Sequence, residues 1–191
     1  MSEAKPSPHS LPIEELLSRP LSESQLASNT AIVARTALPT QADGETLLFF
    51  ASHGELFALP ASSVVRAFAP LPIHQVPHRP GPIFRGVASD HGDLRLVASL
   101  EAALDLGPWE GAATETTRRM LLVSHGSEQW LMEVDAVLGI HRCARERWSP
   151  PPATLSHARG AATVALVPLG SRRAALLDPA KLVHRFRDGI S

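Results

Sequence analysis

A chain of 191 residues with 12 Gly, 17 Pro and a single Cys can bury one core or two small ones, and its many breakers fit short strands and frequent turns. A net charge of −1 points away from nucleic acid and anionic membrane surfaces, and the lone Cys143 excludes an internal disulfide and fits a reducing cytoplasm. No apolar run approaches the roughly 20 residues of a membrane helix, and the polar start Met1-Ser2-Glu3-Ala4-Lys5-Pro6 predicts no secretory leader.

The first 45 residues read as a helical arm and a linker. Ile13, Leu16 and Leu17 keep the i, i+3, i+4 spacing of a short apolar stripe, which Pro20 ends. Ser22-Glu23-Ser24-Gln25 has capping-box form, flanked by Leu21 and Leu26 as a hydrophobic staple would be, so a second helix is predicted from about Glu23 to Arg35. Thr36 to Glu45 reads as a linker. Residues 1–60 carry three basic side chains against seven acidic, and residues 61–191 fifteen against twelve, which sets the first segment apart. Such an arm either packs on its own domain or docks on a partner.

From Thr46 the period becomes alternating, the mark of strands. Leu47 to Leu59 predicts a strand pair around Ser52-His53-Gly54, and Val64 to Phe68 a further strand. Pro70, Pro72, Pro77, Pro80 and Pro82 hold the next stretch extended. Val87 to Ala98 predicts a hairpin turning at Asp90-His91-Gly92-Asp93, and Leu100, Ala103 and Leu104 a short helix ending near Gly107. Residues 108–117 read as a surface loop. About 72 residues after the first strand pair its phrase returns as Met120 to Met132, around Ser124-His125-Gly126. With one residue inserted, Phe57 falls on Trp130, Leu59 on Met132, Val64 on Val137 and Ala67 on Ile140, so the chain is expected to hold two similar β modules. Trp130, Met132 and Val134 share one face of their strand and Gln129, Glu133 and Asp135 the other, which predicts one buried side. A strand to Ile140, a Pro-rich loop at 150–152, a hairpin turning at Gly170-Ser171 and a short helix over 179–186 complete an all-β fold with helical decorations.

Catalysis leaves no trace in these residues. Ser89-Asp90-His91 holds the residue types of a serine hydrolase, but neighbours in a strand point to opposite faces, and no Gly-x-Ser-x-Gly elbow is present. The nine histidines are scattered, with no His-Glu-x-x-His or Cys-x-x-Cys, so no metal is predicted. Neither a Walker A lysine motif nor Gly-x-Gly-x-x-Gly occurs, and no nucleotide or other cofactor is expected. Arg118-Arg119 and Arg172-Arg173 read as solvated strand edges that discourage aggregation.

The order of the β motifs carries a resemblance. Leu47 to Leu59, the Val64–Phe68 strand, Ile73-x-x-Val76-Pro77, Gly86-Val87 and Gly92-Asp93-Leu94-x-Leu96-Val97 follow the order seen in CheW-type chemotaxis coupling proteins. Met120 to Val123, Val134-Asp135-x-Val137-Leu138-Gly139-Ile140 and Ala174-Ala175-Leu176-Leu177-Asp178 continue it, over roughly residues 46–187. Ile73 to Arg79 and Gly139 to Arg142, with Pro152-Ala153-Thr154, look most like the WspD-type paralogue of surface-sensing (Wsp) clusters. The resemblance implies two SH3-like five-stranded β-barrels sharing a core over 46–187, followed by a tail at 188–191. It also implies a non-enzymatic adaptor in the cytoplasm, recruited to membrane receptor arrays. Its implied partners are the regulatory domain of a CheA-like histidine kinase and the cytoplasmic tip of a methyl-accepting chemoreceptor. Neither nucleic acid nor direct membrane insertion is implied.

The chain departs from that family's pattern at several positions. Its Asn-Leu-Arg-Gly turn, whose arginine is linked to receptor contact, is Ser89-Asp90-His91-Gly92 here, and an imidazole lacks the fixed fork of a guanidinium. The usual proline in the next strand is Leu96, the usual aspartate after it is Ser99, and Arg66 or Ala67 stands where an acidic residue is expected. The candidate partner-binding residues are therefore Asp90, His91, Gly92 and Asp93 in the turn, Arg95 beside it, Arg85 and Gly86 approaching it, and Val65 and Arg66 in the Val64–Phe68 strand. A small-barrel nucleic-acid binder is the alternative, and it predicts a contiguous basic face and steep salt dependence. A hydrolase built on Ser89 is a third reading that lacks a convergent histidine and acid.

Overall fold

Alternating apolar residues punctuated by tight turns fold into ten strands. A computed structural model describes residues 44–78, 81–107, 111, 117–153 and 161–190, which belong to one compact unit, Asp43–Ser191; the two helices predicted in the arm lie outside the described residues. The elements are β1 (Gly44–Ser52), β2 (Glu55–Pro60), β3 (Val64–Phe68), β4 (Phe84–Asp90), β5 (Asp93–Ala98), α1 (Leu100–Ala103), β6 (Arg119–His125), β7 (Glu128–Val134), β8 (Ala136–Ala144), β9 (Thr163–Leu169), β10 (Arg172–Leu177) and α2 (Pro179–Asp188). Short 3-10 turns follow β2 at Ala61–Ser63 and β8 at Arg145–Arg147.

The strands form two five-stranded sheets, ordered β8-β1-β2-β10-β9 and β3-β6-β7-β5-β4. The second order repeats the first with each strand replaced by its counterpart five places away along the chain. Pairings coincide as well. Phe50 faces Phe57 as Val123 faces Trp130, and Val64 faces Val123 as Val137 faces Phe50, so this part repeats at a spacing of 73 residues. Later the spacing is 75 between His74 and Ser149 and 79 from Val87 and Leu166 onward. Parallel pairing puts Leu96 beside Trp130 and Ala175 beside Phe57, and an isolated bridge joins His74 to Val87 and Ser149 to Leu166. Each half gives its hairpin to the sheet built from the other half's three remaining strands. The chain is thus two copies of one module with their hairpins exchanged.

That arrangement explains the uninterrupted apolar runs. One face of each hairpin lines its own barrel and the other packs in a core common to both. Leu47, Phe49, Leu56 and Ala58 fill the first barrel with Cys143, Ala165, Val167, Ala174 and Leu176. Met120, Leu122 and Leu131 fill the second with Ala88 and Val97. Leu48, Phe50, Phe57 and Leu59 meet Leu121, Val123, Trp130 and Met132 in the common core, which Leu182, Val183 and Phe186 of α2 complete. β7 therefore buries Leu131 on the side predicted to be polar, because its opposite face looks into a barrel instead of solvent.

The two Ser-His-Gly turns are not equivalent. In the first hairpin the turn residues are His53 and Gly54, with φ of +51° and +72°, between Ser52 and Glu55. In the second they are Gly126 and Ser127, between His125 and Glu128. Gly126 (φ +60°) therefore matches His53, and no inserted residue is needed. The shared tripeptide is one position out of register. The helix starts do match: Ser99 Oγ accepts from the Ala102 amide at 3.0 Å, and Asp178, 79 residues on, caps α2 through the Ala180 amide at 2.9 Å.

Candidate docking face on the second barrel

β3 and β4 are the end strands of their sheet, and one side-chain cluster ties them together. Arg66 in β3 reaches Asp90 at the end of β4, its Nη2 contacting both carboxylate oxygens. Asp90 is only 5 % exposed, while the Arg66 side chain is 36 % exposed and lies over the Phe68 ring at 4.8 Å. His91 joins the same cluster. Its Nδ1 lies 2.9 Å from Asp90 Oδ1 and 3.1 Å from Arg66 Nη1, so this nitrogen donates to the carboxylate in one tautomer and accepts from the guanidinium in the other. The hydrogen bond from His91, reinforced by Arg66, holds the Asp90 carboxyl below its usual range, against the upward pull of burial.

The contact between Asp90 and His91 is one that strand geometry alone does not predict. His91 has left the strand with φ of +53°, so its ring swings back toward its neighbour and stays 79 % exposed. Ser89 is exposed and stands opposite Leu94 in the ladder, which leaves the cluster without a nucleophile.

Beside the cluster, Arg95 Nη2 donates to Asp93 Oδ2 and Nη1 to Gln129 Oε1, both at 2.7 Å, so the turn is anchored to β7. Gly92, with φ of +92°, completes the turn and has open space around its Cα. Val65 is the extra residue of a bulge, since Val64 faces Val123 and Arg66 faces Leu122, and it projects 54 % exposed. Leu94 and Leu96 also stay exposed on β5.

Arg85 and Gly86 do not approach this turn. They lie at the opposite end of β4, where Arg85 pairs with Glu101 at 3.4 Å. Gly86 adopts φ of +132° where the His74 backbone crosses it, and a Cβ there would sit 2.2 Å from the His74 carbonyl oxygen. Its role is close backbone approach. Arg66, Asp90, His91, Asp93 and Arg95 are brought together at the turn end of the barrel, with Gly92 between them and Val65 next to Arg66. Phe68 and Gln129, which support the cluster, were not singled out by sequence, because nothing local marks a partner on another strand of the sheet.

A CheW-like domain is matched over residues 46–187. This chain belongs to the CheW-like domain family. Among solved structures, the scaffolding protein TtCheW from Thermoanaerobacter tengcongensis is similar, with a TM-score of 0.60 at 18 % identity over 71 % of this chain and 89 % of that one. The likeness shows a shared fold of two SH3-like barrels. No curated protein sequence matches the chain.

Two departures of this CheW-like domain acquire physical meaning in the structure. Ser99, in place of the usual aspartate, still caps α1. Arg66, which with Ala67 stands where an acidic residue is expected, faces the turn and pairs with the buried Asp90. A cation on the strand and an anion in the turn make a closed pair.

Proposed function

We propose that this CheW-like chain is a non-enzymatic adaptor that joins the cytoplasmic tip of a chemoreceptor to the regulatory domain of a CheA-like histidine kinase. The setting is a chemotaxis-like or Wsp-type surface-sensing array, to which the protein is recruited from the cytoplasm. The observation that carries this reading is the exposed Val65 bulge next to the Arg66–Asp90–His91 cluster, with exposed Leu94 on the far side of the turn. Apolar side chains around a rigid polar centre are what a protein partner recognises, and they supply no reactive group. The ion pair between the buried Asp90 and the partly exposed Arg66 fixes the centre without adding net charge, so partner choice rests on shape and on the outward face of the imidazole.

The test is co-precipitation of a receptor tip fragment and a kinase regulatory domain from the same organism. Wild type is compared with Val65→Glu, His91→Glu and Arg95→Glu. Loss of one or both partners with the fold intact is the expected result. Unchanged binding of both by all three variants removes the site assignment, and no binding by the wild type removes the function.

A further inference from the structure

The strongest unassigned feature lies on the other barrel, where β1 begins and β8 ends. Gly44, Glu45, Arg142 and Arg145 line an open cleft of about 420 Å³. We propose that this cleft is a docking site for an acidic segment of a partner protein, whose carboxylates enter between Arg142 and Arg145 while its apolar side chains lie over Ile140. This inference is independent of the coupling role and of the turn on the second barrel.

Charge is the first argument. From Arg142 to Arg147 the chain holds three arginines against one glutamate. Most described arginines end on a protein acceptor: Arg66 on Asp90, Arg85 on Glu101, Arg95 on Asp93, Arg173 on Ser149, Arg185 on the Ala103 carbonyl and Arg187 on Glu128. Arg142 is exposed and ends on none among the described residues. Arg145 is pre-positioned by the Trp148 ring at 5.3 Å and by Glu45 at 2.8 Å, yet its side chain stays 68 % exposed. A guanidinium held in place with donors facing solvent suits a bidentate carboxylate, and an incoming carboxylate can replace Glu45 in that pair.

The second argument is the shape of the strand. β8 is the terminal strand of its sheet, and Ile140, 59 % exposed, stands two residues before Arg142 and so on the same face. An apolar and a basic group thus share one face of the strand, which matches an extended segment with an apolar and an acidic side chain two residues apart. Gly44 adds to the fit. A Cβ there would lie 3.2 Å from Arg142 Cγ and 3.1 Å from the Cys143 carbonyl, so only glycine leaves the arginine stem undisturbed. Nucleic acid suits the site poorly, because the face of Trp148 is already covered by Arg145 and offers no base a stacking surface.

The experiment uses the full chain and a fluorescein-labelled decapeptide in which Leu-Ser-Glu-Ser repeats, so that Leu and Glu share one face, read by anisotropy at low and high salt. The same peptide with Lys in place of Glu and a single-stranded oligonucleotide of similar length serve as comparisons. Saturable binding of the Glu-Leu peptide is expected, weakened about tenfold by Arg142→Gln with Arg145→Gln and weakened again by high salt. Arg172→Gln with Arg187→Gln, which removes the same charge elsewhere, should leave it unchanged. The proposal is overturned if the wild type shows no saturable binding, if both double variants behave alike, or if the Lys-Leu peptide or the oligonucleotide binds as tightly. Concentration-dependent self-association abolished by the same pair of substitutions would assign the cleft to a second copy of the chain instead.

Discussion

Arg66 and Asp90 join the first and last strands of one sheet, 24 residues apart in the chain and in contact across the seam of the second barrel. The pair closes a barrel that its backbone ladder leaves open between β3 and β4. The equivalent positions of the first barrel, Gly139 and Leu169, carry no charge, so of the two seams, which share the matching bridges His74–Val87 and Ser149–Leu166, only the second has this ion pair.

Removing one partner should cost more than removing both. Arg66→Ala leaves a nearly buried carboxylate with His91 alone, and a loss of about 1–3 kcal/mol is expected, at the lower end because Arg66 is partly exposed. Arg66→Met with Asp90→Leu should recover much of it. Urea denaturation of the two singles and the double measures the coupling.

The same pair sets an acid dependence. The folded Asp90 carboxyl is held below the value of about 3.9 that it has in an unfolded chain, so the stabilisation is fully present above that value. It disappears as pH falls through the lowered folded value. The stability difference between wild type and Asp90→Asn should therefore not shrink between pH 7 and about 5, and should shrink only as the pH falls below the ordinary carboxylate range. A difference that shrinks already between pH 7 and 5 would contradict the direction of the shift.

Gly86 and Gly92 both have positive φ, but only one is crowded. Gly86→Ala drives a Cβ into the His74 carbonyl and should cost roughly 3 kcal/mol or more, with loss of the His74–Val87 bridge. Gly92→Ala meets open space and should cost only the backbone term, about 1 kcal/mol. Thermal melts of the two variants compare them directly.

Exchanged hairpins make the two barrels one cooperative unit. Phe57→Ala and Trp130→Ala occupy matching places in the common core, and each should lower stability by about 3–5 kcal/mol. Neither should release one barrel alone. In Trp109→Phe backgrounds, Trp130 fluorescence of a Trp148→Phe variant reports the common core, and Trp148 fluorescence of a Trp130→Phe variant reports the first barrel. Coincident transitions are expected, and separated ones would show that the barrels unfold independently.

The strands were legible because apolar alternation and turn residues are local signals, and the duplication was legible because Leu47 to Phe50 and Met120 to Val123 repeat a run that two buried faces demand. What misled was also local. The repeated Ser-His-Gly draws the eye to a one-residue shift, although the ladders of β1 with β2 and β6 with β7 keep a constant spacing. The Arg66–Asp90 contact was hidden for the opposite reason: it depends on which strands end a sheet, and strand order is not written in any short stretch. Asp90 and His91, read as pointing apart, meet because one residue takes a left-handed backbone.

The exchange of hairpins also dictates an order of events on the ribosome. β1 and β2 are made first, yet their barrel needs β8, β9 and β10, so the first hairpin translated is housed only when Leu177 emerges. At ordinary rates of synthesis the apolar faces of Phe49, Phe50 and Phe57 wait on the order of ten seconds for their strands. The second barrel, complete once Val134 is out, can close first and offer the waiting hairpin half of its eventual shelter. A nascent chain of this design has a built-in window in which a holding chaperone, or crowding by sister chains on the same messenger, decides its yield.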